Sequence, residues 1–95
     1  MPSSLLYRVS KELGIDSSVL EKEALLRYLR DELRRVRLEA KLIMSKYNVS
    51  SIEELDEKIR TGELDETVAF DDLTKLDYLL DREEKLIRLL RELEG

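Results

Sequence analysis

Ninety-five residues suffice for one small domain, and chains of this size bury a smaller share of their surface than larger ones, which makes association with another chain attractive. The chain has no Cys and no His, so a disulfide framework, the usual zinc sites and every Ser-His or Cys-His pair are excluded together. Charged residues make up 41% of the sequence and the net charge is −5, a balance that argues against a nucleic-acid binder acting alone.

In chain order, Leu5, Leu6, Val9 and Leu13 recur at helical spacing after Ser3-Ser4, with Pro2 before them and Gly14 behind. They predict a short helix over about 4–13 that ends on a glycine cap. Ser18 and Glu21 match a capping box, and from there no Gly or Pro interrupts a helix over about 18–47. Its apolar positions Leu26, Leu29, Leu33, Val36, Ala40, Ile43 and Tyr47 alternate in steps of three and four, the spacing of a heptad seam. Leu25, Leu38 and Leu42 widen that face beyond a two-stranded seam, as in a bundle.

Asn48 is the predicted stop. Ser51 and Glu54 form a second capping box, opening a short helix over about 51–61 that carries Ile52, Leu55 and Ile59 inward and ends before Gly62. After a loop over 63–69, a last helix is expected from about Phe70 to Leu93, with Asp71 and Asp72 at the positive end of its dipole. Leu73, Leu76, Leu80, Ile87 and Leu90 make one seam and Leu79, Leu86 and Leu93 a neighbouring one. Glu83 is the polar residue on the first seam, which places it at an edge or opposite Arg34, Arg35 or Arg37.

These elements describe a single all-α domain over 1–95: two long antiparallel helices forming a helical hairpin, with short helices at the N-terminus and between them. A lone hairpin of this length leaves part of both apolar faces wet, so dimerisation into a four-helix bundle is expected. The dimer seam falls on Leu26, Leu29, Leu33, Val36, Ala40, Ile43, Leu76, Leu80, Ile87 and Leu90. Up to Asn48 the chain carries ten basic and seven acidic side chains, and beyond it seven and fifteen. This +3/−8 division suggests complementarity within the chain or dimer, or two separate partners.

No catalytic, cofactor-binding or metal-ligating residue is assigned. The carboxylates Glu53, Glu54, Asp56 and Glu57 and the pair Asp71-Asp72 are expected to serve solubility and capping rather than metal binding. Acidic residues interrupt the basic run Arg27, Arg30, Arg34, Arg35, Arg37 and Lys41, which reads first as a salt-bridged face or a contact with the acidic half, with an auxiliary nucleic-acid contact as the alternative. Phe70, Asp71, Asp72 and Tyr78 are the candidates for binding a partner protein. No apolar run is long enough to span a bilayer and no secretory segment is visible, so a cytoplasmic protein is expected. The scarcity of amides, with Asn48 the single Asn and no Gln, resembles thermophile composition.

The run Lys46-Tyr47-Asn48-Val49-Ser50-Ser51-Ile52-Glu53-Glu54-Leu55, then Gly62-Glu63-Leu64 and Phe70-Asp71-Asp72-Leu73, resembles small prokaryotic, notably archaeal, antitoxin subunits of toxin-antitoxin pairs. Where members commonly place Gly after the Tyr, this chain has Asn48, which also tolerates a left-handed conformation. The resemblance implies a homodimer that neutralises a basic toxin protein, encoded nearby, by stoichiometric binding through its acidic half. The rival expectation is a homodimeric coiled-coil structural or adaptor protein without a toxin partner.

Overall fold

A computed structural model describes residues 4–95; Pro2 and Ser3, expected to lead into the first helix, lie outside the described residues. Four helices and no strand occur among the described residues: α1 (Ser4–Leu13), α2 (Ser17–Lys46), α3 (Ile52–Arg60) and α4 (Glu66–Glu94). They form an elongated body of 60 × 25 × 22 Å. The thirty residues of α2 set that length, since a helix rises about 1.5 Å per residue and α2 therefore spans about 45 Å.

Each helix end has an identifiable local cause. Gly14 adopts φ +68°, and the amides of Gly14 and Ile15 return to the carbonyls of Lys11 and Ser10, the paired bonds of a Schellman end. The Ser10 hydroxyl donates to the Ile15 carbonyl, which explains how this polar side chain is buried. Asp16 caps α2: its carboxylate accepts from the Ser18 amide at 2.9 Å and from the Ser18 hydroxyl at 2.8 Å. The expected box led by Ser18 is thus replaced by a charged cap two residues earlier, better suited to the positive end of the dipole.

At the other end of α2 the amides of Asn48 and Val49 close onto the carbonyls of Ser45 and Met44. This requires φ +53° at Asn48, a conformation that Asn reaches with little penalty. Ser51 caps α3 as expected by accepting from the Glu54 amide at 3.1 Å, and Glu54 reaches back to the Ser50 amide at 2.8 Å. The start of α4 differs from expectation. Asp65 is its cap, accepting from the Thr67 amide at 2.9 Å, so the helix begins four residues before Phe70. Asp71 and Asp72 then sit in its second turn, beyond the reach of the dipole argument made for them.

α2 and α4 pack along their lengths, and α3 packs on α4. Cross-helix ion pairs run from Arg30–Glu94 through Arg37–Glu83 to Lys46–Asp72, so the two helices run in opposite directions. Between them lie Leu29, Val36, Ala40 and Ile43 from α2 and Leu76, Leu79, Leu86 and Leu90 from α4, joined by Leu55 of α3 and by Val49. The inward face of α4 is centred between its two sequence seams. Leu79 and Leu86 are buried, whereas Leu80 and Ile87 are only half-buried.

Candidate interaction surface

Six of the ten residues assigned to a dimer seam, Leu29, Val36, Ala40, Ile43, Leu76 and Leu90, are buried within one chain. Leu26, Leu33, Leu80 and Ile87 are half-buried at the edges of the same core. That apolar stripe is already covered where α2 meets α4, so surfaces open to other molecules have to be sought elsewhere.

The basic run of α2 is largely engaged with carboxylates. Arg34 pairs with Asp31 at 3.3 Å and Arg35 with both Glu32 and Glu39. Of the three candidates for Glu83, the geometry selects Arg37, whose Nε donates at 2.9 Å. Most of these pairs are exposed, so each adds little stability; those within α2 support the helix itself, and Arg37–Glu83 is the one that bears on how α2 and α4 align. Glu32 is the exception, with its side chain 11% exposed. Arg35 grips it through Nε and Nη2 at 2.9 Å each, and Arg82 of α4 donates from Nε at 2.9 Å and Nη2 at 2.6 Å.

Hydrogen bonds from Arg35 and then Arg82 hold the Glu32 carboxyl down at about 2 against an ordinary value of 4.5. A depressed folded-state value means that the stabilisation is complete above pH 4.5 and is lost as pH falls toward 2. The melting temperature is therefore expected to fall across that window, and Glu32→Gln should remove part of the slope. An equal slope in the variant would assign acid sensitivity to other carboxylates.

A second node joins the C-terminal end of α2 to α4. Asp72 accepts from Lys46 Nζ at 2.8 Å and from the Tyr47 hydroxyl. Lys46 first, then Tyr47, lowers its carboxyl below the usual range, and the Asp72 contact raises Tyr47. Lys58 Nζ donates to the terminal carbonyls of Tyr47 and Asn48 at 3.3 and 3.5 Å, tying α3 to the same corner.

The four partner-binding candidates are thus divided. Phe70, Asp71 and Tyr78 are exposed on α4, with Phe70 53% exposed, whereas Asp72 is turned to α2 and occupied by Lys46 and Tyr47. The carboxylates of α3 mostly have structural duties: Glu54 caps, while Asp56 and Glu57 pair with Arg60 at 3.2 and 2.8 Å. Among the described residues no three carboxylates converge as a metal site requires.

Two features escaped the sequence reading. The first is a groove of about 360 Å³ between α3 and α4, lined by Ile52 and Leu73 together with Glu53, Asp56, Thr74 and Asp77. Both helices contribute to its apolar and its acidic lining, and only their packing brings the residues together. The second is the exposure of Leu5, Val9 and Leu13 on α1, whose spacing predicted a helix but not whether its apolar face is covered. No helix among the described residues is long and apolar enough to cross a membrane.

The comparisons with known proteins find an archaeal relative and a family model, and give no indication of an antitoxin role. A Methanocaldococcus jannaschii protein described as "Uncharacterized protein MJ0235" is 38% identical over 63 residues, which cover 66% of this chain and 77% of that protein. No solved structure matches the chain significantly. The family described as "Uncharacterized protein MJ0235 family" matches over residues 1–95, and neither description mentions an antitoxin or a toxin partner. On that full-length match, the chain belongs to the MJ0235 family.

Proposed function

We propose that the protein is a non-catalytic, protein-binding subunit that self-associates and holds a basic partner protein against its acidic half. The observation that carries this reading is the groove between α3 and α4. Ile52 and Leu73 offer apolar area, while Glu53, Asp56 and Asp77 stand around it. This combination suits a helix or extended segment with an apolar anchor flanked by Lys or Arg, because desolvated apolar contacts supply affinity and rim charges supply orientation and encounter rate. The −8 charge carried beyond Asn48 acts in the same direction at longer range.

Phe70, Asp71 and Tyr78 extend the surface along α4. Neutralisation of a toxin by stoichiometric capping is the narrow form of this reading, drawn from the sequence resemblance. A homodimeric structural element without a further partner is its rival.

Co-expression with the product of the neighbouring gene tests the proposal. The two proteins are expected to co-purify at low salt, and reversing two rim charges, Glu53→Lys with Asp77→Lys, should weaken the complex by about tenfold or more, equivalent to about 1.4 kcal/mol. Rescue of growth by co-expression would establish the neutralising form. Binding that is unaffected by the charge reversal would remove the groove from consideration, and no binding at all would favour the structural element.

A further inference from the structure

We infer that the protein self-associates through the end of the molecule formed by α1 and the first turns of α2, each copy covering the other's exposed apolar stripe. This inference rests on the reading of the protein as self-associating and assigns it a surface other than the seam buried between α2 and α4.

The first observation is area. The chain exposes 7356 Å², whereas a compact monomer of its mass, 11.2 kDa, exposes about 5,700 Å². The surplus of about 1,700 Å² goes with the elongated 60 × 25 × 22 Å shape, which leaves room along the body for the roughly 800 Å² per partner that a standard interface buries. The second observation is where the apolar part lies. Of the fourteen large hydrophobic side chains exposed among the described residues, eight fall within residues 5–28, and the other six are distributed over α2 and α4. Leu5, Val9 and Leu13 follow one another at four-residue steps, so they form a continuous stripe on α1.

Beyond the Gly14 turn, Ile15 and Val19 continue the run of exposed apolar side chains, and Leu25 is exposed on another face of α2. Val19 stands seven residues before Leu26, on the stripe that becomes the core further along α2. The last cross-helix pair toward this end is Arg30–Glu94, and Val19 lies eleven residues before it, outside the packed part of α2. The structure therefore carries its core stripe into a region where it is open.

The third observation, charge, selects the occupant. Residues 1–28 contain four basic and four acidic side chains, so the entire net charge of −5 lies on residues 29–95. Two copies meeting through α1 and the start of α2 bring neutral surfaces together, whereas contact through the acidic halves would oppose like charges. A strongly charged partner finds no complementary field at the neutral end. A two-fold arrangement satisfies both copies at once, with the Leu5–Val9–Leu13 stripe of each lying on the Val19–Leu26 stripe of the other.

The full chain and a Leu5→Asp, Val9→Asp variant should be compared by sedimentation velocity at micromolar concentration, with circular dichroism reporting that helicity is retained. Both positions are exposed, so the fold is expected to survive. The expected result is a wild-type particle of twice 11.2 kDa, a monomeric variant, and an unchanged dimer for Leu38→Asp on the outer face of α2. A dimer that persists in the α1 variant overturns the assigned surface but leaves self-association standing. A monomeric wild-type chain overturns both.

Discussion

Leu76→Ala is expected to cost about 2–5 kcal/mol, the range for removing most of a buried leucine from a core that relaxes only partly. Leu76 is fully buried in the core where α2, α3 and α4 meet. In a chain of this size each kcal/mol moves the melting temperature by about 4–8 °C, so a thermal scan should show a drop of at least about 8 °C. Leu89→Ala, on the exposed side of the same helix, supplies the contrast and should stay within about 0.5 kcal/mol of wild type. Similar losses in the two variants would mean that α4 does not present Leu76 inward.

The second large effect concerns α3. Leu55 is fully buried and stands at the centre of the α3 contact, flanked by the half-buried Ile52 and Ile59. Leu55→Asp would place a carboxylate in that apolar setting without a partner, a change that undocks the helix because the charge can reach water only by leaving the core. Nine residues do not sustain a helix alone, since isolated helices shorter than about 12–15 residues are marginal in water. Amide protons of Ile52–Arg60 should therefore lose protection by hydrogen exchange, while those at the middle of α2 keep theirs. Uniform loss over the whole chain would show instead that α3 and the long helices unfold as one unit.

The four helices were legible in the sequence because their apolar residues repeat at helical spacing and their ends carry Gly14, Asn48, Ser51 and Gly62. The start of α4 was misplaced because Glu66–Ala69 lacks a visible stripe. Asp65, an N-cap residue immediately before an acidic first turn, is the signal that could have found it. The partner of Glu83 could be narrowed to three arginines and no further, because the alignment of α2 with α4 is set by the whole connection through α3. The groove had no signature, since Ile52 and Leu73 come from different helices and are brought together only by packing. The same limit applies to α1. A periodic sequence shows that an apolar face exists, but whether the chain supplies a cover for it is a property of the tertiary structure.

The two surfaces lie far apart on the molecule. The groove of Ile52, Leu73 and Asp77 sits beside the C-terminal end of α2, and α1 lies beside its N-terminal end, with most of the 60 Å length between them. Copies joined at their neutral ends would hold their grooves outward and remote from each other, forming a two-headed rod. A monomeric target would occupy each head independently. A target that is itself multimeric, with matching spacing, would be held at both, and the gain in avidity would come from linkage rather than from any added contact.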